Sequence, residues 1–407
     1  MYAPTPPIIC IFFLFFLLFT PVFPIQDVKN IEAKYKSYNS STESKKMKLI
    51  NDLLKKINKP FVKSIKSPDG DIIDCVLIHL QPAFDLPQLK GSLPLDPPEL
   101  PIPNGHEQAE KESEIKQVWS SNGESCPNGT IPIRRTTASD ILSSSSISNF
   151  GKKIRPDSLA THEYAVGTVG EGVYHGAKGV FNFWKPNVTG VNEFSLSQMW
   201  LEYNVPNRLL NTIEAGWMVY PDLFKDNGSP RLFNYWTPDD YKTGCYNLLC
   251  PGFVQTTNKY SLGGVLHPLS TYDGTQYIIS IFIFKAKTGD WWLHMGDTVI
   301  GYWPSSLFPD LCNNATDVHY GGEVISNIDL KHTSTQMGSG HFPEEGYKKA
   351  AYIRNLEVVD IEYSLKPASN LKLVNTDSNC YAVTSGFGEK WGNYIYFGGP
   401  GNNPKCP

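Results

Sequence analysis

From about residue 155 to the C-terminus, apolar runs of strand length are set between clusters of Gly, Pro and Asn, and eight of the nine Trp fall there. Pro removes a backbone donor and Gly weakens a helix interior, so long helices do not survive such punctuation. Runs rich in β-branched and aromatic residues between turn residues read as strands instead. The spacing predicts strands at Glu193–Tyr203, Thr212–Tyr220, Tyr277–Phe284, Trp291–Leu293, Val299–Trp303, Tyr320–Ile325, Tyr352–Asp360 and Tyr394–Phe397. No alternation of strand with helix and no fixed-period repeat accompanies them, so an all-β domain is expected, an antiparallel β-sandwich or jelly roll rather than parallel α/β. The 33 Gly, 31 Pro and 13% aromatics of the whole chain agree, and 41% hydrophobic residues exclude wholesale disorder. A net charge of −4 leaves no basic excess for a phosphate backbone, which argues against nucleic acid as a partner.

At 407 residues the chain has room for more than this domain. Residues Ile8 to Phe23 form one apolar run, shorter than the ~20 residues of a membrane span, and read as a secretory signal ending near Pro24. The segment before it lacks Lys and Arg, so an uncleaved signal anchor stays open as the alternative. No later run approaches membrane length, and a secreted protein, extracellular or vacuolar, is expected. Sequons at Asn39, Asn128, Asn187, Asn227 and Asn314 fit export as candidate glycosylation sites. Without Cys10, seven cysteines remain, Cys75, Cys126, Cys245, Cys250, Cys312, Cys380 and Cys406, an odd count that leaves at least one free thiol. Cys245 and Cys250 are close enough for a local bridge. Neither their spacing nor the scattered His residues suit a metal, so no metal and no cofactor are expected.

Between the signal and the strands lies a different texture. Gln26 to Ser67 holds eleven Lys against four acids, with Met47, Ile50, Leu53, Leu54 and Ile57 at helical spacing. A turn at Ser67-Pro-Asp-Gly-Asp enters a short apolar strand, and seven prolines follow between Pro82 and Pro103, where neither helix nor central sheet is possible. The stretch to about Asn149, with Arg134-Arg135 and a Ser run at Ser143 to Ser146, reads as an exposed linker. A small α+β segment over 25–154 is therefore expected to precede the β-domain at 155–407, with 1–24 as the signal.

Two strands carry candidate chemistry. In Asn211-Thr-Ile-Glu-Ala-Gly-Trp-Met-Val, alternation puts Ile213, Ala215, Trp217 and Val219 on one face and Glu214 on the other, with Gly216 beside it. In Tyr320-Gly-Gly-Glu-Val-Ile the same arithmetic pairs Glu323 with Gly321. A glycine beside each carboxylate would let an extended substrate approach, and two facing carboxylates can hold a water and split one proton. A solvated strand Glu and a bulge Gly are the plainer alternatives. No Gly-x-Ser-x-Gly occurs, and Gly338-Ser-Gly-His is read as a turn. Cys312 has no marked electropositive surroundings and is read as an ordinary thiol. Trp291-Trp292 and Tyr235-Trp236 are read chiefly as core, although aromatic faces also suit sugar rings.

Longer blocks resemble the neprosin family of plant secreted proteins: Ser67-Pro-Asp-Gly-Asp-Ile-Ile-Asp-Cys, Gly129-Thr-Ile-Pro-Ile-Arg-Arg-Thr, Thr161-His-Glu-Tyr-Ala, Glu214-Ala-Gly-Trp, Trp236-Thr-Pro-Asp-Asp-Tyr, Gly244-Cys-Tyr-Asn-Leu-Leu-Cys-Pro-Gly-Phe-Val-Gln, Gly301-Tyr-Trp-Pro, Gly321-Gly-Glu-Val and Thr335-Gln-Met-Gly-Ser-Gly-His-Phe-Pro. The resemblance covers nearly everything after the signal. It implies a propeptide followed by a β-sandwich glutamic endopeptidase that prefers to cut after proline, with Glu214 and Glu323 as the catalytic pair. It also implies disulfides Cys245–Cys250 and Cys380–Cys406, a propeptide pair Cys75–Cys126, and Cys312 left over. Tyr320 stands where the family pattern has Trp, a departure expected to change a subsite rather than the chemistry.

The mechanism so implied needs no acyl-enzyme. One glutamate takes a proton from a shared water and the other donates to the peptide, with activity highest in acid and neither role assignable to one residue. Gln198 on a neighbouring strand is a candidate oxyanion donor, with Gly216, Gly321 and Tyr320 as candidate substrate contacts. The expected partners are proline-rich protein or peptide substrates and the chain's own propeptide as inhibitor, with no membrane once the signal is gone. Two rivals remain: a non-catalytic carbohydrate- or cell-wall-binding sandwich, and a two-carboxylate glycoside hydrolase.

Overall fold

The computed structural model describes residues 43–101, 115–144, 146–153, 161–190, 192–225, 228–326 and 332–407. The expected signal and the sequons at Asn39 and Asn227 lie outside the described residues. Two compact units divide the chain at residue 49. Of the first, residues 43–49 are described and are helical. In the second, residues 50–57 are helical, with Ile50 and Ile57 buried and Leu53 and Leu54 partly buried, the spacing read from the sequence.

The second unit then lays down strands β1 (Phe61–Lys66), β2 (Ile72–Leu77), β3 (Lys116–Gln117) and β4 (Thr130–Arg134). Gly70 takes a φ of 97° in the turn between the first two, a conformation that only glycine adopts without strain. β1, β2 and β4 form an antiparallel sheet over Ile65, Ile73, Trp119 and the Cys75–Cys126 disulfide. The proline-rich stretch makes one short 3-10 turn at Pro82–Asp85 and has no regular structure over residues 92–101, as missing backbone donors dictate.

The rest is a two-layer sandwich of β5 (Thr161–Val169), β6 (Gly176–Asn182), β7 (Ser195–Tyr203), β8 (Asn211–Val219), β9 (Arg231–Thr237), β10 (Cys245–Tyr246), β11 (Val254–Gln255), β12 (Leu266–His267), β13 (Ile278–Lys285), β14 (Trp291–Met295), β15 (Thr298–Trp303), β16 (Asp317–Ser326), β17 (Ala351–Val359), β18 (Leu365–Pro367), β19 (Lys372–Asn375), β20 (Ala382–Gly388) and β21 (Gly392–Gly398). One sheet runs β10-β9-β8-β7-β16-β5-β19; the other runs β11-β15-β14-β13-β6-β17-β21-β20, with β18 beside β17. Both are antiparallel throughout. β12 lies outside both sheets and pairs with β3 of the N-terminal segment in a separate two-stranded ladder.

Ile213, Ala215 and Trp217 of β8 meet Ile281 and Ile283 of β13 and Trp291 and Leu293 of β14 in the inter-sheet core. Each such buried Ile or Leu side chain contributes about 1.5–3 kcal/mol. Trp217 Nε1 donates to Asn182 O at 2.9 Å, tying β8 of one sheet to β6 of the other. All eight strands expected from the sequence form, with ends shifted by a few residues. β5, β6, β9 and the C-terminal β19 and β20 were not expected, because Gly, Lys and polar residues interrupt their apolar pattern. The disulfides Cys245–Cys250 and Cys380–Cys406 form, and Cys312 is free and half-buried.

Candidate active site

The seven-stranded sheet turns its second face away from the core, and alternation delivers the two glutamates there. Glu214 on β8 and Glu323 on β16 flank the central strand β7 and are completely buried. Pairing sets Glu214 opposite Trp200 and Glu323 opposite Leu196, one level apart on each side of Gln198. Gln198 itself lies between Gly216 and Gly321 at a single level. A Cβ at Gly216 would fall 2.0 Å from Ser197 O, and one at Gly321 2.3 Å from Ala165 O. Both glycines are thus required by the close approach of neighbouring strands, a reason that the sequence pattern alone did not supply.

Between the carboxylates sits an ammonium group. Lys153 Nζ donates to Glu214 Oε2 and to Glu323 Oε2, each at 2.8 Å, so those two oxygens are no further apart than twice that distance. The segment that carries it is anchored: Phe150 is buried, Gly151 takes a φ of 82°, and Tyr246 N donates to Gly151 O at 2.8 Å. Lys153 Nζ also lies 5.6 Å from the ring centroid of Tyr241 and 5.9 Å from that of Trp200, within cation–π range. The remaining oxygens have partners of their own. Thr212 Oγ1 and Tyr241 OH donate to Glu214 Oε1 at 3.0 and 3.3 Å. His162 Nδ1 lies 2.5 Å from Glu323 Oε1, and Gln198 Nε2 donates to Glu323 Oε2 at 3.4 Å. Asp240 and Tyr241 both have positive φ, 56° and 60°, a strained turn of the kind that persists where a side chain must be aimed.

These surroundings divide the pair. Burial pushes the Glu323 carboxyl up, but the Lys153 charge and the His162 hydrogen bond outweigh it and hold the group at about 2. For Glu214 burial wins: its carboxyl is raised despite Lys153, with the Glu323 charge adding to the rise. Burial would discharge Lys153, yet the two glutamates together raise its pKa above the ordinary lysine value. Tyr164, directly opposite Glu323 on β5, is raised by burial and by both carboxylate charges, so it stays a neutral phenol.

Of the residues singled out in the sequence, Glu214, Glu323, Gln198, Gly216 and Gly321 come together. Tyr320 does not, which is a correction. It points into the inter-sheet core, fully buried, and its OH donates to Glu357 O at 2.7 Å. Strand alternation is the reason: it lies three positions from Glu323, an odd offset, so it faces the other way. Lys153, His162, Thr212, Tyr164 and Tyr241 were missed as site residues. His162 and Tyr164 could have been found, since alternation within Thr161-His-Glu-Tyr-Ala puts them on one face; Lys153, beside Lys152 in a linker, carries no local signal. Elsewhere Asn128 and Asn187 are exposed, as a glycan requires, whereas Asn314 is half-buried with Nδ2 donating to Ala315 O at 3.0 Å. His332, Asp377, Cys380 and Cys406 bring potential ligand atoms within 4.8 Å of one another, but the two cysteines are joined in a disulfide and offer no thiolate.

The neprosin family model matches residues 191–400, and a neprosin activation peptide model matches residues 64–168. The chain belongs to the neprosin family. The neprosin match holds both glutamates, and the activation-peptide match holds Lys153, His162 and Tyr164. Family membership supports a glutamic peptidase made with its own activation peptide. Among solved structures, similarity extends to a crystal structure of scytalido-glutamic peptidase with a peptide-based transition state analog, at 6% identity over 59% of this chain and 99% of that one, TM-score 0.33. It extends also to SCP-B, a member of the eqolisin family of peptidases in complex with the tripeptide Ala-Ile-His, at 7% identity over 58% and 98%, TM-score 0.32. Likenesses this slight leave the functional reading to the family and to the site.

Proposed function

We propose that the protein is the secreted precursor of a glutamic endopeptidase that works in acid and cuts after proline, residues 25–154 being the inhibitory propeptide and 155–407 the enzyme. The observation that carries this reading is the Lys153 ammonium, held 2.8 Å from an oxygen of each glutamate. It fills the place between two carboxylates that a water and a scissile peptide would need, and it comes from the N-terminal part of the chain.

The divided pair suggests roles. Glu323, which keeps its His162 contact once Lys153 leaves, is the base that takes a proton from water as the water oxygen bonds to the peptide carbonyl carbon. Glu214, held high, is the acid that gives its proton to the leaving nitrogen as the C–N bond breaks. Gln198, whose Nε2 donates to Glu323 Oε2 at 3.4 Å in the precursor, is assigned the developing oxyanion. As pH falls, Glu214 protonates first, because its pKa is raised, while Glu323 keeps its charge down to about 2. The stabilisation that Glu323 draws from Lys153 is therefore present above the ordinary carboxylate range and lost toward pH 2. The burial cost of ionised Glu214 is relieved on acidification, and the ammonium then loses one of its two counter-charges. Acid thus loosens the plug and protonates the acid catalyst in the same step.

An oxidising compartment, outside the cell or in the vacuole, is supported by three disulfides. The proline-rich linker is itself a substrate for a proline-directed enzyme, so the precursor should shorten in acid. The test is mass spectrometry of the precursor held at roughly pH 3–4, where paired carboxylates no longer both ionise, with cuts then mapped on an unstructured proline-containing protein. Equal shortening of wild type and Glu214→Gln would sink the mechanism, and cuts scattered without regard to proline would sink the specificity.

A further inference from the structure

The outer face of the nine-stranded sheet carries a row of side chains that crosses six strands at one level. Val254 stands opposite Tyr302, Tyr302 opposite Trp292, Trp292 opposite Phe284, Phe284 opposite Gly176, and Gly176 opposite Val359. The Trp292 and Tyr302 rings lie 4.7 Å apart, and Phe284 stacks on Phe282 at 4.9 Å with 29° between planes. This aromatic strip is buried, Phe284 and Trp292 being 1% exposed and Tyr302 3%.

The chain's own residues 81–95 lie over it. Ala83, Phe84 and Leu89 pack into the same apolar cluster. Leu95 N donates to Tyr302 OH at 3.3 Å. Gln81 clasps the edge strand β11, its Nε2 donating to Gln255 O at 3.0 Å and its Oε1 accepting from Gln255 N at 2.7 Å. The covering stretch is proline-rich, with Pro82, Pro87 and Pro94, and it continues without regular structure through Pro97, Pro98 and Pro101. Beneath it, Trp292 Nε1 is buried with no hydrogen-bond partner among the described residues.

We infer that in the processed enzyme this face is an exosite for proline-rich polypeptide that carries apolar side chains, held as residues 81–95 are held in the precursor. The inference rests on the zymogen reading, since the covering segment must depart with Lys153. An aromatic strip left bare would be the contiguous apolar patch that soluble proteins keep for partners. The segment seated on it runs as a 3-10 turn over Pro82–Asp85 and further turns to residue 91, presenting Ala83, Phe84 and Leu89, and its prolines fix φ and bring no N–H to desolvate. Tyr302 OH takes the Leu95 N–H in the precursor, the Trp292 indole is left as a donor for a carbonyl, and aromatic-lined surfaces are a recurring dock for proline-rich chains.

The experiment uses the full-length protein processed in acid and freed of released peptide by gel filtration. A synthetic peptide of residues 81–101 is titrated against tryptophan fluorescence, and cleavage is followed on a long proline-rich substrate and on a short one that spans the cleft alone. The peptide is expected to bind saturably and to raise KM for the long substrate at least about fivefold, the scale of one or two lost contacts, while leaving the short substrate unaffected. Tyr302→Phe, with Tyr302→Ser as the stronger variant, should narrow the advantage of the long substrate and leave kcat/KM for the short one unchanged. No binding, equal inhibition of both substrates, retention of the native segment after processing, or dimerisation through this face overturns the exosite. If protein from which the N-terminal segment has been removed cuts neither substrate, the peptidase reading fails instead, and the fluorescence titration on that same protein still decides the exosite.

Discussion

Both outer faces of the sandwich are covered by the N-terminal part of the chain, one around a buried charge and one without it. Over the seven-stranded sheet Ile50, Ile57, Ile141 and Phe150 pack with Leu196, Met218 and Phe233, and within that cover a single ammonium stands between Glu214 and Glu323. Over the nine-stranded sheet it is Ala83, Phe84 and Leu89 on an aromatic strip. A charged cover depends on protonation, whereas an apolar one depends on area removed from water and is indifferent to pH in the acid range. Acid therefore acts on the first cover directly and can reach the second only through cutting of the chain between them.

Substitutions at the cleft should separate the two covers most sharply. Glu323→Gln or Glu214→Gln should lower kcat/KM by about 10²–10⁴-fold, measured on a short peptide with enzyme processed in trans, and should leave the Trp292 fluorescence of the other face unchanged. Activity within tenfold of wild type would remove that residue from the chemistry. Lys153→Gln leaves two buried carboxylates without their cation, a change that costs about 3–5 kcal/mol when one partner of a buried pair is lost. The precursor should melt lower at neutral pH, and the deficit should shrink as acid protonates Glu214; a deficit constant with pH would contradict the charged cover.

On the other face, Phe84→Ala should cost about 3 kcal/mol or somewhat less, as the covering segment can collapse onto the gap. Its loss should be the same at neutral and acid pH, read by hydrogen exchange of residues 81–95; a pH-dependent loss would erase the contrast. The smallest effect expected is a shift. In His162→Gln, Glu323 loses the partner that helps to hold it at about 2, so its carboxyl rises and the acid limb of kcat/KM moves to higher pH. An unmoved limb would show that Lys153 alone sets the division in the precursor and that His162 has no part in the enzyme.

The alternation in Asn211-Thr-Ile-Glu-Ala-Gly-Trp was enough to place Glu214 opposite a core-facing Trp217, and the same arithmetic placed Glu323; both hold in the structure. It also contained the error at Tyr320, whose odd spacing from Glu323 already turned it away. β6, by contrast, was illegible: Gly176, Lys178 and Gly179 break its pattern, and it becomes a strand because β13 and β17 flank it on both sides.

What the sequence determined by itself is whatever has a short period: strands of residues alternating between two faces, the helix over residues 50–57, the proline-rich stretch that can be neither, and which side of its strand each glutamate takes. The meeting of Lys153 with two carboxylates 61 and 170 residues away, and of Phe84 with aromatic rings from three neighbouring strands, was decided by the tertiary structure alone. The reason is physical: periodicity reports the local geometry of the backbone, while a buried charge or ring takes its partners from wherever folding removes competing water, and no local pattern encodes that address.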